Sequence, residues 1–493
     1  MADELPTMLA FPPEKKKGGL STKEYDAAIT THLKQLKDIS PTAWEKKDLL
    51  EMLDPAVNSI PYLFALNIQI SNSQKNNKRL DELATLALDY LVTFDPIQVR
   101  YVGEQWRLLF EFAFGMLEHN RSTDLTALVT ALLRLDPTSG TLTSSHLRLV
   151  RLCLAHGVPS QALPLLDKDI YAYPQRSVKN VPDELLCEEQ ELSNVFITEK
   201  SHFSRQLGAE HVLEYYLLAA HVYIGYRNFP RARLCLECVL LTPSQGHTTS
   251  ALQAEAYQKW LLIGLIYEGK PFPAIRTLDS VVAKSVENAT TLYKALVSDF
   301  QARNLPKFRA EVQFGGSTWA DDGNLRLVRE CENALQRYRV IDLQKTYAAL
   351  PVGRVAALLD LQSKETLLLL QDMISRGYLR AELSPPTSNA SDSDENVVLR
   401  FLPDLATTDE ADLERQTERI AALVNFVRDA ERRVALSREF VEWQRRSKRA
   451  GAADGDLADA MDLSWDEPGK GGNSMLDMED GVEELEDDED LMT

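Results

Sequence analysis

Between about residue 21 and residue 313 the apolar side chains recur at helical spacing almost without interruption, which points to stacked helices and leaves almost no strand pattern. Leu147, Val150 and Leu154 line one face of a segment that stops at Gly157–Pro159. Tyr216, Ala219, Ala220 and Tyr223 do the same before Asn228–Pro230. The turns between such segments share a chemistry. His156-Gly157-Val158-Pro159 precedes Ala162, and Asn228-Phe229-Pro230 precedes Ala232. Gly269-Lys270-Pro271-Phe272-Pro273-Ala274 and Asn304-Leu305-Pro306 follow the same plan. Gly or Asn closes one helix, and Pro sits at a tolerated position at the start of the next. The small Ala lets paired helices approach closely. Pro230 and Pro271 are 41 residues apart, and Pro271 and Pro306 are 35 apart. Both spacings fall in the range of helix-pair repeats. The repeat is degenerate, so the expected fold is mainly α, with an irregular, TPR-like helical-repeat solenoid over residues 21–313. Residues 1–20, broken by Pro12, Pro13, Gly18 and Gly19, read as disordered.

A glycine-bearing loop is expected from Phe314 to Gly323, and after it the pattern changes. Asn324–Tyr338 and Ile341–Leu350 read as two helices, Pro351 opens a third that reaches Leu359, and Ser363 caps a fourth that runs to Arg376. Gly377 stops that helix. Two short apolar segments follow, Tyr378–Leu383 and Val397–Leu402, on either side of the soft stretch Pro385–Asn396. Helices followed by a two-strand hairpin give the winged-helix order over residues 324–404. Residues 405–450 read as one long C-terminal helix. Leu413, Ile420, Val427, Val434 and Val441 recur every seven residues along it, with Leu423 and Ala430 at intermediate core positions. A stripe that narrow is built to be covered by other helices.

Charge divides the chain unevenly. The net charge is −20, but residues 454–493 hold 16 acidic residues and one basic residue, Lys470, leaving about −5 for the rest. Residues 451–493 therefore read as an acidic disordered tail. A nearly neutral body has no field suited to a polyphosphate backbone. The five cysteines are few and odd in number, which fits reduced thiols rather than a disulfide framework. Cys235-Leu236-Glu237-Cys238 falls inside an amphipathic stretch with no second Cys or His pair near it, so core thiols account for it better than a metal site. None of the eight histidines stands two or four residues from another, which removes the H-x-H and H-E-x-x-H patterns of zinc hydrolases. There is no phosphate loop and no nucleophile elbow. No catalytic residue, metal ligand or cofactor site is expected. The longest apolar stretch, near Trp260–Tyr267, is far short of the roughly 20 residues that cross a membrane.

The expected winged helix could in principle read DNA through the Ser363–Arg376 helix. That helix carries only Lys364 and Arg376, opposed by Glu365 and Asp372, around Leu367-Leu368-Leu369-Leu370. A groove-reading helix presents Arg, Lys, Asn or Gln instead, so packing is the better account.

The order of stacked helix pairs, winged helix and lone long helix resembles the PCI-domain proteins, the scaffold subunits of the proteasome lid, the COP9 signalosome and a translation initiation factor. Leu142–Ile170 (LTSSHLRLVRLCLAHGVPSQALPLLDKDI) and Tyr215–Pro243 (YYLLAAHVYIGYRNFPRARLCLECVLLTP) are similar to the signalosome members of that family. Ala254–Pro271 follows at the expected distance. Asp372–Ala381 is similar to the general PCI signature, and Val397–Phe401 resembles its closing strand. The resemblance covers roughly residues 45–445 and departs at the serine-rich Pro385–Asn396 and the acidic tail. It implies a non-catalytic scaffold within an assembly that removes Nedd8 from cullins and so regulates cullin-RING ligases. The metalloprotease chemistry would belong to another subunit. The implied partners are other PCI and metalloprotease-fold subunits, with no nucleic acid and no membrane. The expected location is cytoplasmic and nuclear. The stripe Leu413, Ile420, Leu423, Val427, Val434 and Val441 is then the expected contact to a helix bundle. Tyr378, Leu379, Val397, Val398, Leu399 and Phe401 are the expected winged-helix edge. Proteasome-lid and initiation-factor subunits share this architecture and remain alternatives at this stage.

Overall fold

The computed structural model describes residues 4–11, 21–46, 48–76, 79–174, 185–188, 190–243, 249–384, 397–402, 410–437, 440–441 and 443–446. The expected wing at Pro385–Asn396 and the acidic tail lie outside the described residues, as does Ser447–Arg449. Two units are distinct, residues 1–408 and residues 409–493.

In the first unit the helices follow one another in the way their turns dictate. Helix Ala209–Gly225 packs on Phe229–Leu241, which packs on Ala251–Tyr267, which packs in turn on Leu325–Gln344. The Asn228 side chain accepts a hydrogen bond from the Arg231 N–H at 3.3 Å, with Pro230 in the first turn. Asn304 accepts in the same way from Lys307 at 3.1 Å, ahead of Pro306. Both are side-chain caps that satisfy an otherwise orphan backbone donor. Gly157 and Gly269 take positive φ angles of 70° and 71°, the left-handed conformation that ends a helix. The third expected turn differs. Pro271–Asp279 does not open a helix, and the next one starts only at Ser280, capped by Asp279. Two closely spaced prolines remove the donors that a first turn would need beyond its opening residues.

Three further expectations are corrected. Residues 4–11 are ordered: helix Glu4–Leu9 places Met8 and Phe11 in the core, where the Phe11 ring stacks on His32 at 5.5 Å. Leu5 and Met8 share one helical face and Phe11 follows just past the helix end, and that apolar spacing outweighs the prolines that follow. The expected loop Phe314–Gly323 is mostly helical, because Gly315 lets the buried Trp319 ring lie against the backbone. A Cβ at residue 315 would stand 2.5 Å from that ring. Trp319 Nε1–H donates to the Val312 carbonyl at 3.1 Å. Lastly, Asn324–Tyr338 and Ile341–Leu350 are not two helices. One helix, Leu325–Gln344, runs through, and residues Ala349–Pro351 form a strand.

That long helix joins two cores. Val328, Cys331, Ala334 and Leu335 belong to the large core of the helical repeats. Val340 belongs to a smaller one with Val352, Leu370, Leu379, Leu399 and Phe401. Its start is fixed by the buried Asn324. The Asn324 amide donates to Tyr293 Oη at 2.8 Å and to Gln258 Oε1 at 3.0 Å, and its oxygen accepts from Lys259 Nζ at 2.9 Å. A fully satisfied polar network of this kind fixes one arrangement of the helices it joins.

The smaller core lies under a three-stranded antiparallel sheet of order β1-β3-β2, with β1 Ala349–Pro351, β2 Ala381–Ser384 and β3 Val398–Phe401. Helices Val352–Leu359 and Ser363–Ser375 connect β1 to β2. Gln362, not Ser363, stands at the cap position of the second of these.

The second unit contains helix Glu410–Leu436.

Candidate interaction interface

The large apolar stripe residues of helix Glu410–Leu436 are exposed. Leu413, Ile420, Leu423, Val427 and Val434 are each between 51% and 61% exposed, Ala430 is half-buried, and Val441 beyond the helix end is half-buried as well. Val424 and Phe426 are exposed beside Val427 and widen the seam. They fall at the two heptad positions that flank the seven-residue series, so their spacing in the sequence already carries the signal. Burying one such side chain completely is worth about 1.5–3 kcal/mol. A seam of this length on one helix therefore represents a large stabilisation that this helix does not realise by itself.

The sheet corrects the expected edge. β3 is the central strand, paired with β1 through Ala349↔Arg400 to Pro351↔Val398 and with β2 through Ala381↔Phe401 to Ser384↔Val398. Val398, Leu399 and Phe401 therefore have neighbours on both sides and form no edge. Leu379, Leu399 and Phe401 are also buried in the smaller core, while Val397 and Val398 are half-buried. Tyr378 is half-exposed, with the Arg337 guanidinium 4.9 Å above its ring. A two-strand hairpin leaves its last strand outside, whereas here Ala349–Pro351 pairs with it.

The true edges differ from one another. The Phe401 N–H donates to Ala348 and the Val352 N–H to Val397, whereas the Leu402 N–H donates to Arg380. Alternation along an antiparallel ladder then turns the backbone groups of Ala349 and Pro351 outward on β1, and those of Ala381 and Leu383 outward on β2. Pro351 has no N–H, which blunts the β1 edge. The β2 edge keeps both donors and acceptors and is the one a further strand could extend.

Among the described residues no group of three or more His, Cys, Asp or Glu is placed to hold a metal ion. Cys235 and Cys238 lie in helix Phe229–Leu241, and burial pushes the Cys235 thiol up to about 12, which keeps it protonated and unreactive. On the Ser363–Ser375 helix, Asp372 holds Arg376 at 2.8 Å, and Leu368 is exposed. No described helix is long and apolar enough to cross a membrane.

Residues 23–283 match the family of N-terminal helical repeats of COP9 signalosome complex subunit 3. The chain is 30% identical over 396 residues to COP9 signalosome complex subunit 3 of Emericella nidulans, covering 78% of this chain and 79% of that one. It is 25% identical over 464 residues to the protein of that name in Neurospora crassa, covering 90% and 91%. It is 24% identical over 343 residues to that of Drosophila melanogaster, covering 68% and 73%. With more than half its length in the family's repeats and a relative at 30% identity over most of both chains, this protein belongs to the COP9 signalosome complex subunit 3 family.

Proposed function

We propose that this chain is a non-catalytic scaffold subunit of a COP9 signalosome. Its helical repeats form an arm, residues 324–404 act as the winged-helix part of a PCI domain, and the C-terminal helix enters a bundle with helices of other subunits. The observation that carries this reading is the exposed seam from Leu413 to Val434 on a 27-residue helix. An apolar seam of that length is stable only when something covers it. The open β2 edge supplies a second contact, through which a neighbour's sheet would extend this one. The partners are the other PCI and metalloprotease-fold subunits, and cullin-RING ligases are reached through the assembled complex. Nedd8 removal from cullins is then the work of the assembly and not of this chain. Neither nucleic acid nor membrane has a part in it, and the assembly operates in cytoplasm and nucleus.

Affinity purification of the tagged full chain tests this reading. The expected result is a stoichiometric set of subunits together with cullin-deneddylating activity. Recovery with 26S particles or ribosomal subunits, or activity of the purified chain alone, would overturn it.

A further inference from the structure

A groove of about 720 Å³ lies between helices Ala209–Gly225, Ala251–Tyr267 and Leu325–Gln344, and Arg376 reaches it from the end of the Ser363–Ser375 helix. Arg227, Lys259, Arg326, Arg329, Arg337 and Arg376 line it against a single lining carboxylate, Glu330. Outside residues 454–493 the chain carries a net charge of only about −5, so this concentration of cations is a local feature with its own field.

The six cations are not equivalent. Lys259 is buried and bound to Glu255 and Asn324, each at 2.9 Å. Arg227 is paired with Glu330 at 2.5 Å and Arg376 with Asp372 at 2.8 Å. The His221 imidazole and Lys259 hold the Glu255 carboxyl down at about 2, so Glu255 stays charged and committed to them. Arg326 and Arg329 are exposed and make no hydrogen bond or ion pair with any described residue. The Arg337 guanidinium lies 4.9 Å from the Tyr378 ring and makes no hydrogen bond or ion pair with any described residue.

Arg326, Arg329, Asn333 and Arg337 stand at i, i+3, i+7 and i+11 on one helix, a line of about 16 Å at 1.5 Å per residue. About five residues of extended chain span that length. A compact polyphosphate would reach only part of the line, and a long polyanion would run past the row of guanidiniums at both ends. Leu327 and Ile224 add apolar wall between the charges.

We propose that this groove binds an extended acidic peptide segment of a partner protein, about five residues long, with Asp or Glu side chains against Arg326, Arg329 and Arg337 and an apolar side chain over Leu327. Carboxylates suit the unpaired guanidiniums because the planar fork accepts two parallel hydrogen bonds.

Fluorescence anisotropy with the full chain and a labelled deca-glutamate peptide tests this, at about 50 mM salt, where the Debye length still exceeds 10 Å. Saturable binding is expected. Arg326→Glu with Arg329→Glu should weaken it by at least about tenfold, whereas the charge-matched Lys34→Glu with Lys37→Glu on a remote helix should change it less than about twofold. Arg326→Gln with Arg329→Gln repeats the test with a milder change, and unchanged circular dichroism shows that the variants fold. Equal weakening by the groove and remote pairs reduces the effect to bulk charge and overturns the proposal. So does displacement by tripolyphosphate at lower concentration than by unlabelled deca-glutamate. Binding that appears only after removal of residues 454–493 gives the groove to this chain's own tail and overturns a partner segment.

Discussion

The ring of Tyr338 occupies the space that a side chain at Gly269 would need: a Cβ built there stands 2.5 Å from Tyr338 Cε1. The Tyr338 hydroxyl donates to the Tyr267 carbonyl at 2.7 Å, in the last turn of the helix that Gly269 terminates. Arg303 completes the junction, donating to the Gly269 carbonyl at 3.1 Å and to Asp342 at 2.8 Å. The end of one repeat helix is thereby clamped to the helix that carries both cores. Gly269→Ala should cost about 2–4 kcal/mol, from the left-handed backbone and from displacing the ring. Gly323→Ala is the contrast. Its φ is also positive, at 68°, but nothing lies within 4 Å of the new Cβ, so about 1 kcal/mol is expected. Urea unfolding of both variants measures the difference, and equal losses would mean that the Tyr338 contact adds nothing.

Acid should weaken the first unit through His146. This residue is fully buried, and burial holds its pKa down at about 4. The Thr143 N–H donates to Nδ1 at 3.3 Å, so Nδ1 is an acceptor and the ring is neutral, with Nε2 2.8 Å from Ser139 Oγ. Asp136 acts in the opposite direction but more weakly. A histidine depressed in the folded state contributes stability that is complete above its unfolded value near 6.5 and is lost as pH falls from there to about 4. The loss between pH 7 and pH 5 is about 2 kcal/mol. His146→Gln should unfold more easily at pH 7 and show a flatter pH dependence over that interval. The same slope in both proteins would remove His146 from the account.

Charging the seam should release the subunit. Val427→Asp with Val434→Asp places two carboxylates where burial is required, at a cost of several kcal/mol if they must be desolvated. Co-purification of the other subunits should fall sharply while the repeats keep their melting temperature. Removing residues 404–493 should lower assembly in the same way and leave the repeats folded. Unchanged recovery of the complex would show that this face has no partner.

The two sheet edges should respond differently. Leu383→Pro removes an outward N–H from β2 and leaves the inner ladder to β3 in place, so it should reduce assembly. Leu383→Thr keeps the donor and should not. Pro351→Ala restores a donor on β1 and should leave assembly unchanged. Equal recovery of partners with all three variants would exclude strand addition at β2.

Local periodicity made much of this protein legible in advance. The helix-pair turns at Asn228–Pro230 and Asn304–Pro306, the helical setting of Cys235-Leu236-Glu237-Cys238, with Cys235 in the core and Cys238 half-buried, and the seven-residue stripe from Leu413 onward all depend on near neighbours in the chain. The residues that ended up elsewhere depend on distant ones. β3 became central only because Ala349–Pro351, read as helix, extends and pairs with it across about 50 residues. The basic groove gathers Arg227, Arg326 and Arg376 from three helical segments, and a net charge averaged along the chain conceals it. Side-chain spacing is written in sequence, whereas strand order and the meeting of helix faces are chosen by which apolar surfaces bury one another, and that choice exists only in the folded chain.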